Sequence, residues 1–377
     1  MRAGEMRADN MTSDKKTTDR EGIFRYITLL GTGIIFAGMV WAAQSLLAPK
    51  YMGAVIEGNF TEEYYQDHTE HELLIVGNCE SYENISPMTL WEDYGITSYI
   101  RGNSNQLIPQ SYYLLKEALR YEKPKVVLLN IQAMTVEEQS SEEYNRMVFD
   151  GMRWSEDKLK GILESRMEEE SLVEYIFPVF RYHSRWSELS GEDFIYAFGK
   201  KPLKSYNGYY LRADVRPYTE FPAERRRDDY SFPEKNVRYL EEIVRLCQEN
   251  KISLVLMKAP SMYPAWVEPW QEQIMEFAAE KGILYINTLL SMDEIGLDMS
   301  TDTYDEGLHL NVYGAEKLSS WLGGRLKEQY ALTDFRNDER LAAVYNQRLE
   351  EYHKEKEEQR AEFEQLGYIS KYRTQEE

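Results

Sequence analysis

Residues 73–87, "LLIVGNCESYENISP", decide the fold. Four apolar residues run into Gly77, and an asparagine, a cysteine and a glutamate come next before a helical pattern begins. A short apolar run closed by glycine reads as a buried strand, and residues 77–80 read as a sharp strand-to-helix turn. Cys79 sits on that turn, where many hydrolases keep a nucleophilic serine. Three meanings are open for it: a catalytic thiol, half of a disulfide, or the remnant of a lost active site.

The same rhythm continues outward. Ser86 and Pro87 are an N-cap and a first-turn proline for a helix over "SPMTLWEDYG". "TSYIRG" reads as a second strand, "LIPQSYYLLKEALRYEK" as a helix, and "PKVVLLNI" as a third strand, apolar throughout as a strand covered on both faces should be. Alternation resumes late, with a helix over 235–250, a strand in "ISLVLMKAP", a helix in "PAWVEPWQEQIMEFAAEKG", a strand in "ILYIN" and a closing helix in "VYGAEKLSSWLGGRLKEQY". Strands separated by helices imply an α/β fold with a parallel sheet covered on both faces. Chemistry on such a sheet gathers at the carboxyl ends of the strands. Those ends carry Gly77–Cys79, Arg101–Gln106, Asn130, Lys258–Ser261 and the loop before His309.

About 100 residues between the third and fourth strands, roughly 134–233, break the pattern and are rich in tyrosine and arginine. A lid over the active-site edge and a purely structural cap are equally open readings. The tail, 333–377, is highly charged; a solvated helix is the favoured reading. Leu341, Tyr345, Leu349 and Tyr352 offer the alternative of one apolar stripe against a body or a partner.

Tyr26 to Ala48 runs without a charge, which as a helix covers roughly 34 Å, enough to cross a bilayer core. Lys15, Lys16, Arg20 and Arg25 precede it, so residues 1–25 are expected in the cytosol, 26–48 as an anchor in the cell membrane, and the rest outside. A signal peptide cleaved near "WAAQS" is the competing reading. Of the net charge of −21, residues 1–50 contribute +2, leaving −23 on the remainder, a surface that repels nucleic acid.

The chain has two cysteines, so one disulfide is arithmetically open. Cys247 comes after Val237, Leu240, Ile243 and Val244 at helical spacing, which makes it a buried structural thiol instead. Among the histidines, His68 and His71 would bind a metal only with further ligands that the sequence does not indicate, and His183 reads as structural. His309 stands in a loop before a helix, with Asp302, Asp305 and Glu306 just upstream. Those acids either orient the histidine as a general base or simply favour a helix N-terminus.

The blocks "GNCESYENISPMTLWEDYGITSYIRG", "YYLLKEALRYEKPKVVLLN", "LVLMKAPSMYP" and "DTYDEGLHLNVYGAEKLS", in this order, give the chain a resemblance to the SGNH/GDSL hydrolase family. The nearest type is the membrane-anchored one of clostridia and related Gram-positive bacteria. More distantly, the chain is similar to D-alanyl-transfer and polysaccharide O-acetylation proteins. The resemblance implies a three-layer αβα, flavodoxin-like domain over 49–332 with a five-stranded parallel sheet. By position it places Cys79 as nucleophile, His309 as base, and Gly102, Asn130 and Gln106 at the oxyanion or substrate subsite. Asp305 is the favoured orienting acid, although Glu306 has the family's spacing of three residues before the histidine. Gly77-Asn78-Cys79-Glu80 departs from the family's glycine-aspartate-serine block. The implied activity is an extracytoplasmic acyl esterase or O-acyltransferase without metal or cofactor. Its substrate would be an acylated cell-wall or surface polymer, and a cell-envelope protein partner is compatible with it. The alternative is an inactive relative that binds a cell-envelope ligand.

Overall fold

The computed structural model describes residues 5–48, 60–199, 203, 205–220 and 227–373, with the backbone alone for 5–22. They form two compact units, residues 1–50 with 173–201, and residues 51–172 with 202–377. The first is built on α1 (Glu5–Leu47), whose stretch Ile23–Leu47, 25 residues at mean hydropathy 1.7, is long and apolar enough to cross a membrane. The short helices Val179–Tyr182 and Gly191–Phe198 pack on it.

The second unit contains an all-parallel sheet of β1 (Leu73–Gly77), β2 (Ser98–Gly102), β3 (Val126–Asn130), β4 (Ser253–Lys258) and β5 (Leu284–Asn287). Their order is β2-β1-β3-β4-β5. Side chains alternate across a strand, and here both faces are apolar. Leu73, Ile75, Ile100, Leu128, Val255 and Met257 form one core; Leu74, Val76, Val127, Leu129, Leu254 and Leu256 join the other. The first core is closed by α2 (Pro87–Tyr94), α6 (Val312–Tyr330) and α7 (Glu339–Leu366). The second is closed by α3 (Ile108–Ala118), α4 (Glu234–Asn250) and α5 (Glu268–Lys281). Every strand and helix read from the sequence is present to within a few residues. The expected Ser86 cap forms, its side chain accepting from Thr89 N at 3.2 Å.

The tail corrects its favoured reading. α7 is not a solvated helix: Leu341, Tyr345 and Tyr352 are buried in the first core. Tyr345 stacks on Trp91 with ring centroids 4.5 Å apart, and the Tyr352 hydroxyl donates to Glu316 at 2.9 Å. Burying two aromatic rings two turns apart outweighs the helix's many charged residues, most of which lie on its other faces.

Three parts of the insertion bear on the site, the first unit and the first core. Residues 136–144 reach the carboxyl edge of the sheet, 173–199 belong to the first unit, and Tyr209, Tyr210, Leu211 and Ala213 enter the first core. The structural-cap reading therefore holds for that last segment. Tyr345→Ala should cost about 3–5 kcal/mol of stability in denaturant melts. A loss no larger than the ~0.5 kcal/mol of an ordinary surface substitution would return α7 to solvent.

Candidate active site

The strand order reverses direction between β1 and β3, and the crevice at that point lies under the turn that carries Cys79. Gly77 is a steric necessity there, since a Cβ on it would lie 2.5 Å from Ser81 Oγ and 2.7 Å from Asn130 Cβ. Asn78 caps the one-turn helix Cys79–Tyr82, its side chain accepting from Glu80 N at 3.2 Å. Cys79 is thereby left partly exposed at the mouth of a cavity of about 550 Å³, within the usual range for ligand sites. Gln106, Glu83, Tyr144, Tyr263 and His309 also line it.

Glu80 turns inward, where an unpaired carboxylate beside the thiol would be costly. It is paired instead: Lys258 Nζ, wholly buried, lies 2.9 Å from Oε1, and Asn130 Nδ2 donates to Oε2 at 3.0 Å.

His309 arrives from the loop before α6. Arg216 N donates to Thr303 O at 2.9 Å, Glu306 N to Arg216 O at 3.1 Å, and Thr303 Oγ1 to His309 O at 2.8 Å, bracing that loop. Asp305 holds the histidine twice, accepting from His309 N at 2.7 Å and lying 2.6 Å from Nδ1. Glu306 turns away and pairs with Arg216 at 2.9 Å, while Asp302 pairs with Lys317 at 2.6 Å. Cys79 Sγ and a His309 ring nitrogen lie within 4.8 Å of each other. Cys79, His309 and Asp305 are therefore brought together in one chain of contacts.

A fourth member was not singled out in the sequence. Glu83, buried, places Oε2 3.4 Å from His309 Nδ1 and accepts a hydrogen bond from the Tyr304 hydroxyl. Tyr304 lies nearly parallel to the imidazole, with Arg212 over its ring at 4.2 Å. Four residues after Cys79 is one helical turn, so Glu83 was legible as a neighbour on the same face. Burial by itself would lower the His309 pKa. The Glu83 and Cys79 charges and the hydrogen bond that Asp305 accepts from the ring outweigh it and raise it well above the usual imidazole value.

The subsite residues are placed less simply. Gly102 pairs with Gly77 at the end of β2, behind the turn. The Asn130 amide nitrogen is committed to Glu80, and that of Gln106 to Arg101 O at 3.2 Å and Ser111 Oγ at 3.0 Å. Ligand atoms of Cys79, Glu83 and His309 lie within 4.8 Å of one another, the one such metal-capable group among the described residues. The Glu83 oxygen approaches Nδ1, the nitrogen already held by Asp305.

Elsewhere, His71 is enclosed with Asp67 and Glu122. Burial opposes its charge, but those carboxylates push its pKa up to about 9. His183 lies at the surface, with Nδ1 3.0 Å from Phe180 O. Both cysteines are free, and burial pushes the Cys247 thiol up to about 12.

No protein-family model, curated protein or solved structure matches the chain, so the site stands on its own geometry.

Two results are expected. Lys258→Met leaves Glu80 buried without its counter-charge and should cost about 3–5 kcal/mol in denaturant melts, with most of the loss recovered in Lys258→Met/Glu80→Leu. Equal losses in the single and double variants would contradict the pairing. His309 should remain an imidazolium at neutral pH by histidine NMR, and Glu83→Gln should shift its titration downward. Because its folded pKa is raised, the stability it contributes is full below the unfolded imidazole pKa and is lost as pH rises through the raised value.

Proposed function

We propose that this chain is a membrane-anchored acyl esterase or O-acyltransferase of SGNH/GDSL type, working outside the cytosol on an acylated cell-wall or surface polymer. The observation that carries the reading is the placement of Cys79 Sγ within 4.8 Å of the His309 imidazole, itself held by Asp305, on the lining of the switch-point cavity. In this reading the Cys79 sulfur attacks the ester carbonyl, a C–S bond forms, and the tetrahedral intermediate collapses. The alcohol leaves with the proton held on His309, and Cys79 keeps the acyl group as a thioester. Water or a polymer hydroxyl then attacks the thioester, giving its proton to His309 and releasing Cys79. Asp305 orients the imidazole, and Glu83 adds negative charge that favours its protonated form. The Cys79 backbone N–H, at the first position of its one-turn helix, is the available oxyanion donor on this scheme.

The apolar span and the cations before it support an anchor with the N-terminus in the cytosol. A second reading, a ligand-binding protein without turnover, is favoured by one specific observation: the Asn130 and Gln106 amides are already committed to protein partners. Turnover of acyl esters by the full-length protein in detergent separates the two. Cys79→Ala should lower kcat/KM by roughly 10³-fold or more, and Cys79→Ser should retain a measurable fraction. Equal rates for wild type and Cys79→Ala across several acyl donors would assign the chain to the binding reading.

A further inference from the structure

The segment 173–199 concentrates exposed apolar side chains outside α1. Phe177, Phe180, Trp186, Phe194, Ile195 and Phe198 are between 42% and 73% exposed, within 22 residues of chain. Scattered surface leucines need no explanation, but six large exposed apolar side chains, five of them aromatic, within 22 residues do. Its attachment says what covers it. Arg185 Nη1 donates to the carbonyl of Leu47, the last residue of α1, at 2.7 Å. Arg185 also pairs with Asp193 at 3.2 Å, and that aspartate caps helix Gly191–Phe198 by accepting from Ser190 N at 2.9 Å. Phe198 at the other end of the helix meets Trp41 edge-on, with ring centroids 6.1 Å apart. The segment is thus pinned to the C-terminal end of the apolar span at two heights, Trp41 and Leu47.

We propose that residues 173–199 form a collar that lies in the membrane interface around the C-terminal end of α1 and inserts its aromatic side chains among the lipids. The inference rests on the reading of α1 as a membrane anchor. Helical rise sets the depth. The span of 25 residues is roughly 38 Å long against a bilayer core of ~30 Å, so its last turns lie at the headgroup boundary. Trp41 to Leu47 covers about 9 Å of that axis, comparable to the ~5–10 Å an interfacial amphipathic helix occupies. Tryptophan and phenylalanine at this level match the aromatic belts of membrane proteins. A main-chain carbonyl leaving the span would lack a partner in the lipid, and the Arg185 guanidinium supplies one.

The full-length protein in vesicles of phosphatidylcholine and phosphatidylglycerol tests this. The fluorescence of Trp186 is obtained as the difference between wild type and Trp186→Phe, and that of Trp41 from Trp41→Phe. Both tryptophans should be quenched by lipids brominated near the glycerol end of the acyl chain, and Trp186 should be protected from aqueous iodide. Lipid quenching of Trp41 with full iodide access at Trp186 would overturn the collar while leaving the anchor. Trp186 shielded from both quenchers would overturn it in favour of a protein partner or a second copy. If Trp41 also escapes the brominated lipid, the anchor fails and the collar with it.

Discussion

A buried ion pair, Glu80 with Lys258, holds the carboxyl edge of the sheet together. It ties the turn after β1 to the end of β4, and Asn130 at the end of β3 hydrogen-bonds the same carboxylate. Two charges out of water are costly unless paired and fully hydrogen-bonded, so the three strand ends have little freedom to drift apart. Ala259 O accepts a further bond from Lys258 at 2.8 Å. The turn that carries Cys79 sits on this platform, and Gly77 lets it approach Asn130 more closely than any side chain would permit.

Above the platform the balance of charge is different. Glu80 is neutralised, but Glu83 and Asp305 both face His309 Nδ1, and Tyr304 and the braced loop stand behind them. Two carboxylates beside one imidazole overcome its desolvation and favour the imidazolium. An imidazolium next to a cysteine suits a group that must first donate a proton to a leaving alcohol and then accept one from the incoming nucleophile. The same arrangement would serve a thiol–imidazolium pair that recognises an anion without turnover, and the difference lies in the donors above the sulfur.

The sheet was readable because its strands are short apolar runs with little helical ambiguity: "VVLLN" in β3 has no amphipathic alternative, and Ser86-Pro87 marks a helix start. His309 and Asp305 could be named from a loop ahead of a helix, but choosing between Asp305 and Glu306 needed the backbone. Glu306 has a positive φ of 64°, and its side chain turns outward to Arg216. Tail packing was not readable. The stripe of α7 is narrow, and its partner Trp91 lies far away in sequence, so nothing local decides between water and a neighbour. Nor could composition show that one tyrosine-rich insertion divides among the cavity rim, the core and the helix α1. Lys258 was visible only as a strand end; its pairing with Glu80 depends on strand order.

Everything proposed for the cavity turns on Cys79 carrying the acyl group in a Cys-His-Asp site. Intact-mass analysis and peptide mapping of the full-length protein, after brief exposure to an activated acyl ester, test it most directly. Cys247 is an internal control, since burial pushes its thiol up to about 12. The expected result is a single acyl adduct, mapped to Cys79, that is lost in His309→Ala. No adduct, or one equally abundant in His309→Ala, would contradict it.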